Sequence, residues 1–267
     1  YDCWCVQSLD LWGIERWSDM FSNRQLNAIK CLISLIPEKF ASAQNATYDQ
    51  AVGIYLGILI NRFAAVGNSL GRVNNKRETF ETPFARQAIP MVFDYPEVSP
   101  FANSGGGIKN QLKWIIRFLN TEQGYFRTNV QNVSSGEKEQ FDRKTIDAVV
   151  TDPPYYDAIP YADLSDFFYT LMKRSLGRSL PLTFITPQTP KKDECTALRH
   201  HHDGDSKKAE RHFENLLAEI FGAIEHQTNG VVSIMFAHQS TKAWSTLCNS
   251  VLHANLSMNG SWAIDTE

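Results

Sequence analysis

Cysteine is scarce and irregularly placed in this chain. Five cysteines stand at positions 3, 5, 31, 195 and 248, and they form neither paired C-x-x-C motifs nor an even disulfide framework. Disulfide-built secreted folds are therefore excluded, and a reducing cytoplasm is the expected location. Cys3 and Cys5 have a C-x-C spacing, but the chain has no further ligands at suitable spacing for four-coordinate zinc, so we expect no metal.

No charge of one sign dominates, and no apolar run is long. The chain has 26 Lys and Arg residues against 29 Asp and Glu residues, a formal net charge of -3. The molecule as a whole therefore has no field that attracts nucleic acid or anionic lipid, and any DNA contact must use a local patch. The most apolar run, residues 51–60, is too short to span a bilayer, so we expect no membrane partner.

A G-x-S-x-G nucleophile motif is also absent, which leaves hydrolase chemistry unsupported.

The first part of the chain has the hydrophobic period of helices. Apolar residues recur at helical spacing after Ser18 or Ser22, either of which could cap a helix that we expect to end at Pro37. A second helix is predicted over 46–67 and a third over 109–119, with a proline-rich extended connection between them.

Beyond residue 120 predicted strands alternate with helices. The runs "TIDAVVTD" and "GVVSIMFAH" are typical of buried parallel strands, and "YFRTNVQNV" and "SMNGSWAI" also favour strands. Helices are predicted over "AERHFENLLAEIFGAIEHQ" and "TKAWSTLCNSVLHANL". We therefore predict an α/β protein, with a helical insertion or connecting region over 1–108 and the later half of a doubly wound domain over 109–267.

The motif "DPPY", residues 152–155, follows directly on the apolar end of a predicted central strand. Ligands of open α/β sheets gather at the carboxyl ends of strands, so the position suits a site. Asp152 supplies a carboxylate acceptor, Pro153 and Pro154 give a rigid turn with free carbonyls, and Tyr155 adds a flat ring.

This set of groups suits the handling of an aromatic exocyclic amine. The nitrogen of such an amine is a poor nucleophile until acceptors hold its two N–H groups in pyramidal geometry. Asp152 can hold one N–H and the Pro153 carbonyl the other, while Tyr155 stacks on a base extruded from the duplex. A strand that ends in a proline turn beneath an aromatic lid would be the purely structural interpretation of the same four residues.

The motif resembles the catalytic motif of the DNA amino methyltransferases. The longer stretch "DAVVTDPPYYDAIPYADLSDFFYTLMKRSLG" is more closely similar to the large adenine-specific DNA methylases with a zinc-ribbon segment, a group linked to phage defence. The blocks "GIERWSDMFSNRQL", "TFETPFARQAIPMVFDYPEVSPF", "TPQTPKKDE" and "FAHQSTKAW" extend the similarity through nearly the whole chain.

The resemblance implies a Rossmann-like methyltransferase fold, S-adenosylmethionine as methyl donor and DNA with a flipped adenine as substrate. It also implies a part in phage defence or restriction-modification, with other defence subunits as partners, and catalytic roles for Asp152, Pro153, Pro154 and Tyr155. The family's glycine-rich donor loop, roughly D-P-F-x-G-x-G, is not in this chain, so we expect the C-terminal part of such an enzyme with no cofactor-binding residues assigned. The run "FANSGGG", residues 101–107, is a weak substitute because no β-α unit surrounds it.

Three further expectations concern the surroundings of the motif. Tyr156 and Tyr161 either line the base pocket or pack over the following helix. Residues 173–212 carry nine Lys and Arg residues against five acids. This basic stretch is either a mobile segment laid against phosphates or a solvated loop. Within it, His200, His201 and His202 are adjacent and cannot all face one metal ion.

Other functions use related chemistry. Cytosine amino methylation needs the same acceptors, and methyltransferases that act on protein glutamine or RNA often begin the motif with Asn instead of Asp. A non-catalytic DNA-binding or assembly subunit is the alternative from another functional class.

Overall fold

The computed structural model describes residues 9–40, 46–77, 79–85, 89–121 and 128–264, so Cys3 and Cys5 lie outside the described residues. Within these ranges the chain is a mixture of helices with two small sheets, which is compatible with the predicted α/β class. Two compact units are present. The helical unit comprises residues 1–127 and 161–191, and the parallel-strand unit comprises residues 128–160 and 192–267. No helix among the described residues is long and apolar enough to cross a membrane.

The described residues of the helical unit form four α-helices and one hairpin. They are α1 (Asn23–Phe40), α2 (Ala46–Val66), β1 (Arg72–Asn74) paired antiparallel with β2 (Thr79–Glu81), α3 (Ile108–Thr121) and α4 (Tyr161–Leu176). The start of α1 is a capping box, in which Gln25 N donates to Ser22 Oγ at 3.3 Å and Ser22 N donates to Gln25 Oε1 at 2.8 Å. Ser22 is thus the capping residue of the two that the sequence offered.

The prediction that α1 ends at Pro37 is wrong, since the helix continues to Phe40. Proline has a helical φ and disrupts a helix by removing one N–H donor and crowding the carbonyl four residues earlier. In the last turn this affects a single hydrogen bond, which leaves the following three residues free to stay helical.

The core of the helical unit forms around Phe167, which is fully buried on α4. The Phe167 ring lies 5.7 Å from the Trp17 ring and 5.0 Å from the Phe84 ring. Helix α2 packs closely on α4 at Gly57, where a Cβ would come within 2.9 Å of Leu176 Cδ1. Helices α3 and α4 both pack against α2. The predicted domain boundary between residues 108 and 109 stays a prediction, while these contacts group both helices with the N-terminal ones.

The parallel-strand unit contains β3 (Ile146–Thr151), α5 (Ser206–Gln227), β4 (Thr228–Ile234) and α6 (Thr241–His253). Strands β3 and β4 pair in parallel, with Thr151 opposite Ile234, as the sequence predicted. The expectation that both strands are buried is wrong, because Val150 and Val231 are 82% and 72% exposed. Ile234 packs against the core formed with α5 and α6, so the helices cover one face of the pair.

Two predicted strands do not form. Residues 257–264 of "SMNGSWAI" and residues 128–133 of "YFRTNVQNV" are irregular, and residues 125–127 of the second run lie outside the described part of the chain. A strand requires a neighbouring strand to satisfy its backbone N–H and C=O groups, and β propensity alone does not supply that neighbour.

Candidate functional site

The D-P-P-Y loop begins where β3 ends. Residues 152–155 follow Thr151 directly, and the Thr151 carbonyl accepts a hydrogen bond from Met235 N at 2.9 Å. The pairing of the two strands thus continues beyond the end of β4. Because parallel strands present their carboxyl ends at one edge of a sheet, this pairing brings residues 152–157 and 236–238 together.

Two acceptors mark the loop. The exposed carboxylate of Asp152 accepts a hydrogen bond from the Tyr155 hydroxyl at 2.6 Å. The Pro154 carbonyl is used inside the turn, where it accepts from Tyr156 N at 3.1 Å. No donor within the described ranges reaches the Pro153 carbonyl. Asp152 and the Pro153 carbonyl are therefore the acceptors left for an incoming amine, provided that the Tyr155 hydroxyl releases the carboxylate.

An aromatic series extends from the loop to α6. The ring of Tyr155 meets Phe236 edge-on with centroids 5.6 Å apart, and Phe236 meets Trp244 edge-on at 5.1 Å. Phe236 and Trp244 were not among the predicted site residues, although both lie in the block "FAHQSTKAW". The signal that could have found them is the position of Phe236 just beyond the apolar run of β4, at the same sheet edge as the motif.

Tyr156 is a core residue of the parallel-strand unit, where its ring neighbours lie on α5 and in the loop after β4, and its role in a base pocket stays a prediction. Its ring is buried and lies 5.1 Å from the Phe213 ring and 5.7 Å from the His238 ring. Burial, reinforced by the negative charges of Glu210 and Asp157, raises the pKa of Tyr156 to about 12. This phenol therefore stays protonated at neutral pH and cannot serve as a base.

The backbone at Tyr156 is strained, with φ at 60°, a left-handed conformation that a bulky residue rarely adopts. The strained conformation is held by the hydrogen bond to the Pro154 carbonyl and by Ala197 N, which donates to the Tyr156 carbonyl at 2.9 Å. Strain of this kind persists only where surrounding contacts fix it, and it is common at functional sites.

His238 organises the second loop at this edge. Its Nδ1 accepts from Ser240 N at 3.0 Å, so the neutral ring carries its proton on Nε2, which lies 3.4 Å from Asp157 Oδ1. The His238 carbonyl accepts from Trp244 Nε1 at 2.9 Å. These bonds fix the turn between β4 and α6 beside the D-P-P-Y loop.

Tyr161 belongs to the helical unit, where it is the first residue of α4 and 51% exposed. Its role in a base pocket stays a prediction. The four residues of the motif and Tyr156, by contrast, all lie in the parallel-strand unit.

The basic stretch 173–212 was expected to be either a mobile segment laid against phosphates or a solvated loop. Its two ends belong to α4 and α5, residues 195–198 are buried, and residues 177–194 lie outside α-helices and strands and are mostly exposed. Lys191 is held in the helical unit by Asp166, with Nζ 2.6 Å from Oδ2 of a carboxylate that is almost fully buried. A contact of this stretch with phosphates stays a prediction.

The glycines of "FANSGGG" are explained by local packing. A Cβ at Gly107 would lie 2.0 Å from the Ala102 carbonyl oxygen, and a Cβ at Gly106 would lie 3.1 Å from the Phe80 ring. The preceding strand, β2, belongs to an antiparallel hairpin. The run therefore serves the turn before α3 and does not have the strand-loop-helix setting of a cofactor loop.

Comparisons of the chain with protein-family models, with curated proteins and with solved structures found no match. The geometry of the loop after β3 and the sequence resemblance are the observations that bear on function.

Proposed function

We propose that this chain is part of a DNA amino methyltransferase that transfers a methyl group from S-adenosylmethionine to the exocyclic amine of adenine, in phage defence or restriction-modification. The observation that carries the proposal is the placement of Asp152 and Tyr155 together at the carboxyl end of β3, beside a parallel neighbour. Strands β3 and β4 with α5 before β4 form an arrangement compatible with a Rossmann-like methyltransferase domain, which is the fold that we propose.

The acceptor side of the reaction follows from the loop. Asp152 accepts one N–H of the flipped base and the Pro153 carbonyl accepts the other, which localises the nitrogen lone pair and directs it away from the ring. Positioning of this kind and the stabilisation of developing positive charge on nitrogen provide most of the expected rate gain. Pro154 keeps the turn rigid because its carbonyl is bonded within the loop.

Tyr155 has two roles in this proposal. In the absence of a base its hydroxyl donates to Asp152, and when a base enters its ring stacks on the base while Phe236 supports the ring edge-on. Stacking of a base on an aromatic ring contributes about 1–3 kcal/mol in single-strand binders.

The methyl donor supplies an electrophilic carbon bound to a sulfonium. The bond from that carbon to sulfur would break as the bond to the amine nitrogen forms, the sulfur would leave as a neutral thioether, and Asp152 or water would accept the proton that the nitrogen loses. We assign no residue of the described part of the chain to the donor, since the glycines at 105–107 are occupied by local packing.

The test is methyl transfer by the complete protein from S-adenosylmethionine tritiated in the methyl group to unmodified DNA. Asp152→Ala should lower labelling of adenine by about 10²–10³-fold, the size typical of losing one preorganised polar contact to the transition state. The control is Asp142→Ala, which removes an exposed carboxylate elsewhere in the same unit and should retain activity within a few-fold. Full labelling by Asp152→Ala, or no label on adenine with the wild type, would refute the assignment.

The two roles of Tyr155 can be separated by substitution. Tyr155→Phe keeps the stacking ring and frees the Asp152 carboxylate, so it should retain wild-type activity or exceed it. Tyr155→Ala should lose about 5- to 150-fold, the equivalent of the stacking energy. Equal losses in both variants would show that the hydroxyl, not the ring, carries the function. Nucleoside analysis of the labelled product distinguishes adenine from cytosine.

A further inference from the structure

A basic depression lies on the surface of the parallel-strand unit, apart from the D-P-P-Y loop. It is an open cavity of about 450 Å³ at the N-terminal half of α5, lined by His202, Lys208, Arg211, His212 and Asn215. All five side chains can donate hydrogen bonds, and Lys208 and Arg211 carry a positive charge. We call these five residues the basic depression.

The cations of the depression are not neutralised by direct ion pairs. Among the described residues, no carboxylate forms an ion pair with Lys208 or Arg211. The nearby Asp205 is occupied as the cap of α5, where it accepts from Lys208 N at 3.2 Å. Glu210 on the same helix is paired with Lys242 at 2.5 Å. The depression therefore presents two cations that have no direct ion pair, with the Asp205 carboxylate as a nearby counter-charge.

Like charges are also crowded here. The rings of His202 and His212 lie 4.7 Å apart. Burial lowers the pKa of His202, and positive charge on His212, His201 and Lys208 lowers it further. The carboxylate of Asp203 acts in the opposite direction but does not outweigh these effects. A bound anion would relieve this repulsion and favour the protonated ring.

The depression is joined to the D-P-P-Y loop within one unit. His212 Nε2 lies 3.0 Å from the Glu194 carbonyl oxygen, and the next residue, Phe213, packs its ring 5.1 Å from Tyr156. Helix α5 thus holds the basic depression at a fixed position relative to the D-P-P-Y loop. Charged residues on a flexible loop would have no such fixed position.

We infer that the basic depression binds a backbone phosphate of the nucleic acid strand that carries the target base, an inference that rests on the proposed function. A phosphodiester has one negative charge and two free oxygens, which match the ammonium of Lys208, the guanidinium of Arg211 and the amide of Asn215. Such a contact carries no sequence information and fixes the register of the strand relative to the loop.

The experiment measures binding by fluorescence anisotropy across a salt series. The first probe is a fluorescein-labelled single-stranded oligodeoxynucleotide rich in adenine, and the second is an abasic oligomer of the same length, which offers phosphates without bases. Lys208→Gln with Arg211→Gln removes two charges from exposed positions. It should lower affinity for both probes by about ten- to thirty-fold at 0.1 M salt and reduce the salt slope by about 0.7, the contribution of one phosphate that is no longer neutralised.

Two controls make the result specific. Lys138→Gln with Arg143→Gln removes the same charge from exposed residues near the other end of α5, where Lys138 approaches Gly222 and Arg143 acts on Glu225. This variant should bind both probes as the wild type does. Lys208→Arg with Arg211→Lys retains the charge and should restore most of the affinity.

The outcomes separate this inference from the proposed function. Tyr155→Ala should weaken binding of the adenine probe only, so a failure of that effect counts against the base site and leaves the phosphate site standing. An unchanged salt slope in Lys208→Gln with Arg211→Gln would overturn the inference, as would an equal loss in the Lys138 and Arg143 control. Absence of wild-type binding to the abasic oligomer at low salt would overturn it too.

Discussion

Gly230 lies on β4 in close approach to the backbone of β3, and it offers a sharp test of the strand pairing that positions the site. Between the pairs Ile146–Thr228 and Ala148–Val231, β4 has one residue more than β3, so the register shifts opposite Asp147. A Cβ placed on Gly230 would lie 1.9 Å from the Asp147 carbonyl oxygen. The neighbouring atom belongs to the backbone, which cannot move aside as a flexible side chain can.

The cost of Gly230→Ala follows from this distance. Real Cβ contacts almost never fall below 3.0 Å, so the two strands must separate by about 1.1 Å at this point, the difference between 3.0 Å and 1.9 Å. If the strands separate, the loss of two hydrogen bonds between β3 and β4 costs about 1–3 kcal/mol. If the strands keep these hydrogen bonds, the strain of the close contact costs a similar amount. We therefore expect the pairing to weaken by about 1–3 kcal/mol.

Hydrogen exchange followed by mass spectrometry reports this locally. Peptides that cover 146–151 and 228–234 should exchange about 5- to 150-fold faster in Gly230→Ala. Gly222→Ala is the matched control, since its Cβ meets only Lys138 Cε at 3.9 Å within a helix, where alanine is favoured over glycine by about 0.5–1 kcal/mol. Unchanged exchange of β3 in Gly230→Ala would refute the close approach, and with it the register that brings Phe236 beside Tyr155.

Three further predictions concern single side chains. Asp166→Asn should destabilise the helical unit by about 3 kcal/mol, because Lys191 then lacks its buried counter-ion, and urea unfolding followed by tryptophan fluorescence measures this. NMR titration should give His202 a pKa below the ordinary 6.5. The unfolded state then binds more protons in that interval, so stability should rise with pH from the lowered pKa up to 6.5. Burial and the charge of Glu194 raise the pKa of the Cys195 thiol to about 12, so iodoacetamide at pH 8 should label the exposed Cys31 and leave Cys195 unmodified until the chain is unfolded.

Local patterns in the sequence predicted the main elements well. The apolar periods of residues 46–67 and 109–119, for example, predicted helices that the structure has as α2 and α3. The run "TIDAVVTD" predicted a parallel strand that ends at the D-P-P-Y loop. These inferences succeed because helix period and apolar run length are properties of neighbouring residues along the chain.

Inferences that depended on a distant partner were less secure. The runs at 128–133 and 257–264 have strand-like composition, yet no other strand in the described part of the chain pairs with them. Tyr156 and Tyr161 looked alike in sequence, but one is buried in the parallel-strand unit and the other is exposed in the helical unit. Burial depends on which residues pack against a side chain, and those residues are not its neighbours along the sequence.

The sequence by itself determined that an acid, two prolines and a tyrosine follow an apolar strand, because covalent order and proline stereochemistry are local. Only the tertiary structure decided that Tyr155 donates to Asp152, that Phe236 supports its ring, and that Lys208 and Arg211 share one depression. Residues more than 80 positions apart along the chain meet at the sheet edge because β3 and β4 pair in parallel, and that pairing depends on a hydrogen-bond register, not on adjacency.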